Sequence, residues 1–231
     1  MKRLAAAGAI AGALSLMLVS SALAAYSLFG NSHVVSPGAG GSPNAVEVNG
    51  TTTGSGISFD VPAGTTFAML DSLGTDYKFM SGNCQSGSPR FQVRVQNPAT
   101  MAIGNIFVYI GPPPNYNVCP TPDYVNTGNM LEDTDLIDTS QVGGSFYQPV
   151  AVAQAGPIGS FTVLRVSLVV DPGYGQVVRF DNTNVDGTVY TYDQPADKDQ
   201  CKDGGWQDLT RADGSTFKNQ GDCVSYFNTG R

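Results

Sequence analysis

An all-β fold is what this sequence predicts: a jelly-roll-like antiparallel β-sandwich carrying a small disulfide-stapled appendage at its C-terminal end. Three observations carry that expectation. After about residue 45, short apolar runs are separated by clusters of Gly, Pro, Asn and Asp, the pattern of strands joined by turns. Several of those runs alternate apolar and polar residues with period two, which marks half-buried strands. Good helix formers are scarce: Glu occurs only as Glu47 and Glu132, and charged residues make up 13% of the chain.

The chain divides into four stretches. Met1-Lys2-Arg3 precedes an apolar run from Leu4 to Val19 and a small-x-small exit at Ala22-Leu23-Ala24, so residues 1–24 read as a secretory signal peptide. The run falls short of the roughly 20 apolar residues that a membrane span needs. Residues 25–44, rich in Gly, Ser and Pro, read as a flexible leader. Residues 45–192 hold the sandwich, and 193–231 form an acidic linker and a small disulfide-closed module. Loss of Lys2 and Arg3 with the signal takes the formal charge from −7 to −9. Such a surface excludes nucleic acid and anionic lipid as partners, because phosphate binding needs a basic patch. No later segment is apolar enough to span a membrane.

Within the sandwich, Ile57–Val61 alternates, and so does Phe91–Val95. The latter has Phe91, Val93 and Val95 on one face and Arg90, Gln92, Arg94 and Gln96 on the other. Ile106–Ile110 is apolar throughout and stops at Gly111-Pro112-Pro113. Phe161–Val170 is the longest β-rich run and is ended by Asp171-Pro172-Gly173. Val177–Phe180 and Thr188–Tyr192 follow, with the hairpin signal Asp186-Gly187 between them. Met130–Asp138 reads as a loop, since its Thr and Asp content opposes a helix. Cys84, Cys119, Cys201 and Cys223 read as two disulfides in an oxidising compartment. Three pairings are open. Nearest neighbours are the simplest, each contributing about 3–4 kcal/mol on the chain-entropy model. Some 30 C-terminal residues bury little core and need such a staple, with Trp206, Phe217 and Tyr226 as an apolar cluster.

Two stretches carry resemblances. Cys201-x-x-Gly204-Gly205-Trp206 followed by Phe217-x-Asn219-Gln220-Gly221-x-Cys223-Val224 resembles a short C-terminal module of uncharacterised secreted bacterial proteins, and implies export. Arg179-Phe180-Asp181-Asn182 with Val185-Asp186-Gly187 resembles the closing strand of galactose-binding-like and carbohydrate-binding jelly rolls. That likeness implies a jelly-roll sandwich, glycan binding and an ion near Asp181 and Asn182.

For chemistry, a Ser–His–Asp triad would have to use His33, the only histidine, which lies in the expected leader. Glu132, Asp133, Asp135 and Asp138 are the densest acidic cluster and the natural source of a glycosidase carboxylate pair, although acidic runs are commonly solvated loops. Calcium is the one cofactor considered, with Asp133 and Asp135, or Asp181 and Asn182, as its ligands. Sugars stack on aromatic rings and hydrogen-bond to amide and guanidinium groups. Arg90, Gln92, Arg94, Tyr109, Tyr190 and Tyr192 therefore form the expected ligand-binding set, provided their strands share a sheet. The expected function is a secreted binding or adhesion protein for a glycan or cell-surface polymer. The alternatives are an extracellular hydrolase using paired carboxylates and a structural surface protein with no small ligand.

Overall fold

Alternation of apolar and polar residues along the strands makes each sheet one-sided, and two such sheets bury their apolar faces against each other. The computed structural model describes residues 26–113, 116–120, 123–211 and 215–230. The expected signal peptide at 1–24 lies outside these. The strands are β1 (Tyr26–Phe29), β2 (Ser32–Val35), β3 (Ala45–Asn49), β4 (Ser55–Phe59), β5 (Leu73–Ser81), β6 (Arg90–Gln96) and β7 (Ile103–Tyr109). They continue with β8 (Val125–Asn126), β9 (Leu136–Ile137), β10 (Gln148–Pro149), β11 (Thr162–Val170), β12 (Val177–Val185) and β13 (Thr188–Tyr190).

One sheet has the order β1-β4-β11-β6-β7, and the other β2-β3-β12-β5-β8, with β13 added beside β12. Every pairing is antiparallel. The chain changes sheet between β1 and β2, β3 and β4, β4 and β5, β5 and β6, β7 and β8, and β11 and β12, so the fold is the jelly-roll-like sandwich that the sequence predicts. Ile57, Phe59, Phe91, Val93, Ile106 and Leu168 from the first sheet meet Val46, Val48, Leu73, Val178 and Phe180 from the second in one core. The Asp186-Gly187 turn closes β12 onto β13 with both residues at positive φ (51° and 78°), the backbone that a two-residue hairpin of this hand requires.

The expectation of a flexible leader over 25–44 is corrected. Residues 26–35 supply an edge strand to each sheet, β1 beside β4 and β2 beside β3. The Gly/Ser/Pro content misled because it clusters in the loop after β2, whereas Tyr26, Leu28 and Val34 carry a strand pattern and pack on the core. Tyr26 meets Tyr192 edge-on, with centroids 5.0 Å apart. The crossing between the two strands needs Gly30 (φ +64°), where a Cβ would lie 2.5 Å from the Gly54 carbonyl oxygen.

Both disulfides join nearest neighbours, Cys84–Cys119 and Cys201–Cys223, with Cα atoms 5.3 and 5.7 Å apart. The second, with Leu209 and Phe217, forms a separate small core against which Trp206 and Tyr226 pack. Two short helices were not evident from composition: α1 (Val150–Ala155) and α2 (Gln220–Thr229). The second is capped at its start by the Asn219 side chain, which accepts from the Asp222 amide, and it ends at Gly230 in the left-handed region.

Replacing Phe180, fully buried at the centre of the core, by Ala is expected to cost about 3–5 kcal/mol of stability. Equilibrium urea unfolding reads that loss, and a cost under about 1 kcal/mol would contradict the packing described.

Candidate functional site

The outer face of the five-stranded sheet is set by the pleat of β6. Phe91, Val93 and Val95 point into the core, so Arg90, Gln92 and Arg94 point away from it. Across β11, Val169 lies opposite Arg90, Ser167 opposite Gln92, and Arg165 opposite Arg94. The row continues from Ser167 to Ser58 on β4 and from Ser58 to Ser27 on β1. Together Ser27, Phe29, Ser58, Gln92, Arg94, Arg165, Ser167 and Val169 line an open groove of about 300 Å³.

A β-bulge builds the charged end of this groove. Thr162 pairs with Gln96 and Val163 with Val95, and then the register shifts so that Arg165 pairs with Arg94. An uninterrupted ladder would put Leu164 opposite Arg94 and turn Arg165 towards the core. The extra residue keeps Val163 and Val166 buried while aiming Arg165 outward. The floor is neutral: the Ser58 and Ser167 hydroxyls lie 3.0 Å apart, and Gln92 Nε2 donates to Asn105 Oδ1 at 3.2 Å. Phe29 lies over Gly56, where a Cβ would come within 2.7 Å of its ring.

The structure therefore brings Arg90, Gln92, Arg94 and Tyr109 onto the outer face of one sheet, but of the expected ligand-binding residues only Gln92 and Arg94 line the groove. Arg90 faces outward, but its guanidinium is held by Asp171 through Nη1 and Nη2, and it lies 4.9 Å from the Phe107 ring centroid. Tyr109 sits opposite Arg90 at the far edge. Its hydroxyl donates to Asp138 Oδ2 at 2.8 Å, and burial followed by that bond pushes its pKa up. Its ring joins Tyr116 (4.3 Å), Phe146 and Tyr147 beside a second depression of about 380 Å³. Tyr190 and Tyr192 are corrected outright. They belong with the other sheet, are buried, and Tyr192 donates its hydroxyl to Thr183 at 2.8 Å. Both are aromatic and follow a hairpin, which made them look like rim residues; the apolar contact with Tyr26 and Phe59 holds them inside.

Ser27, Phe29, Ser58, Arg165, Ser167 and Val169 escaped the sequence reading. A signal for Arg165 exists, since it is the single charge inside the long apolar run of β11.

Of the acidic groups singled out in the sequence, Asp135, Asp138 and Asp181 are engaged in hydrogen bonds. Asp181 is fully buried; its Oδ2 accepts from the Ala39 amide at 2.8 Å and its Oδ1 from the Asn182 amide at 2.8 Å. Burial raises its pKa to about 6 against the opposing pull of those two amides. Asn182 Nδ2 donates to Asp76 Oδ2 at 2.7 Å. Asp135 Oδ2 accepts from the Glu132 amide at 2.9 Å within its own turn, and Asp133 is exposed. Asp138 accepts from Tyr109 and from Ser140. Among the described residues, no three His, Cys, Asp or Glu side chains cluster in a way that could hold a metal ion. Both oxygens of the Asp181 carboxylate, one of the expected calcium ligands, accept from backbone amides of the fold.

No protein-family model matches the chain, and no curated protein matches its sequence. Solved structures similar to it include the family 11 carbohydrate-binding module of a cellulosomal cellulase of Clostridium thermocellum. That match is 12% identical, covers 73% of this chain and 89% of the other, and has a TM-score of 0.40. A family 11 module from the same organism, in complex with a β-1,3-1,4-mixed-linked tetrasaccharide, is 13% identical over 73% of this chain and 91% of its own, with a TM-score of 0.37. An exo-β-agarase is 12% identical over 72% of this chain and 24% of its own, also with a TM-score of 0.37.

Because the folded state raises the Asp181 pKa, it holds that proton more tightly than the unfolded chain does. The resulting stabilisation is full below about pH 4 and is lost as pH rises to about 6. The stability advantage of the wild type over Asp181→Asn is therefore expected to grow by about 2–3 kcal/mol between pH 7 and pH 4. Urea unfolding of both proteins across that window measures it; an advantage that stays flat or shrinks on acidification contradicts the assignment.

Proposed function

We propose that this protein is an exported, non-catalytic glycan-binding protein, with its ligand lying across the outer face of the five-stranded sheet. The observation that carries the reading is the composition of the groove. It is open, floored by the Ser58 and Ser167 hydroxyls and the Gln92 amide, edged by the Arg94 and Arg165 guanidinium groups, and carries the exposed ring of Phe29 on its outermost strand. Sugar hydroxyls pair with amide, hydroxyl and guanidinium groups, and the apolar faces of sugar rings lie against aromatic rings.

The lining favours binding over hydrolysis. Glycoside hydrolysis of the common kind uses two carboxyl groups about 5–10 Å apart on either side of the scissile bond. None of the residues lining the groove is Asp or Glu. The second depression has Asp135 alone among its lining side chains, and that carboxylate is spent on a turn amide. Export is supported by the signal-like residues 1–24 and by the use of all four cysteines in bridges.

A glycan array probed with the protein is expected to show retention, and Phe29→Ala and Gln92→Ala are each expected to weaken the best ligand roughly three- to tenfold. Since both side chains sit on the solvent side of the sheet, thermal midpoints should stay close to wild type. A silent array, or full affinity in both variants, would remove the proposal.

A further inference from the structure

We infer that the ligand of this groove is a glycan carrying spaced anionic groups, carboxylate or sulfate ester, clasped between Arg94 and Arg165. This rests on the glycan reading above and specifies the class of glycan.

Three of the five described arginines are neutralised by a carboxylate: Arg90 by Asp171, Arg179 by Glu47 at 3.0 Å, and Arg211 by Asp222 at 2.6 Å. Arg94 and Arg165 have no ion pair among the described residues, although acids outnumber Lys and Arg by 19 to 12. These two exposed arginines are also direct cross-strand partners. Like charges placed opposite each other on an antiparallel pair repel, so the arrangement costs stability in the free protein. A local irregularity of the backbone is what creates it: without the bulge, Arg165 would not share a face with Arg94. The lining has no acid to compete for the two guanidinium groups.

Guanidinium presents a planar fork of donors that matches the paired oxygens of a carboxylate or sulfate. An anion between Arg94 and Arg165 would satisfy both forks and relieve their repulsion at once. The rest of the groove is hydroxyl, amide and apolar surface, suited to uncharged sugar. The strongly acidic chain as a whole repels a densely charged polymer. The favoured ligand therefore alternates charged and neutral sugars.

Titration calorimetry of the protein against four polymers tests this. They are hyaluronan (carboxylate on alternate sugars), κ-carrageenan (sulfate ester on alternate sugars), polygalacturonate (carboxylate on every sugar) and lichenan (uncharged). Hyaluronan or κ-carrageenan is expected to bind about tenfold or more tightly than lichenan, with affinity falling as salt rises, and the stronger of the two identifies the anion. Arg94→Ala and Arg165→Ala should each bring that affinity down to the lichenan level, while the thermal midpoint holds or rises. Lys78→Ala, on the opposite sheet, should change it less than about twofold. Equal binding of lichenan, tightest binding of polygalacturonate, or undiminished affinity in both arginine variants would overturn the inference and leave glycan binding standing. Binding to none of the four overturns the inference too, and a silent glycan array then takes the glycan reading with it.

Discussion

Two residues per pleat is the constraint on which the rest of this molecule depends. Along β6 the same alternation that sends Phe91, Val93 and Val95 into the core sends Arg90, Gln92 and Arg94 to the outside. The hydrophobic requirement on one face therefore positions the polar chemistry on the other, and neither can slip by one residue without destroying both. The bulge at Val163–Arg165 is the one place on this sheet where the rule is deliberately broken. It lets β11 keep an unbroken buried face from Val166 to Val170 and still place a cation beside Arg94.

The parts of this arrangement that were legible in the sequence are those governed by local pattern. β6 announces its two faces through strict alternation. The Asp186-Gly187 hairpin announces itself through turn chemistry. Four cysteines in a helix-poor, acidic chain foretell the two staples. What local pattern cannot carry is which strands become neighbours. Tyr190 and Tyr192 have the same aromatic character as Tyr109, yet their hairpin folds them into the opposite layer, where Tyr26 and Phe59 enclose them. Arg165 joins Arg94 only through a pairing between segments some 70 residues apart, and through a register shift that apolar counting does not reveal.

The N-terminal segment shows a related limit. A stretch containing Gly30, Gly38, Gly40 and Gly41 resembles a linker by composition, but its strands close one edge of each sheet, and Ser27 and Phe29 furnish part of the groove. Asp181 reinforces this closure from inside the other sheet. Its carboxylate reaches the Ala39 amide 142 positions earlier in the chain, tying the loop after β2 to the centre of β12. A buried acid engaged by two amides near a turn has the sequence signature of an ion ligand, and only its partners show that it acts as a bracket.

The two sulfur bridges span 35 and 22 positions, and they follow one another without overlap. Cys84 can find Cys119 before Cys201 exists as a competitor, and once that pair is closed the last two thiols have only each other. Because neither loop encloses the other, each bridge can form or open without the other having to be broken.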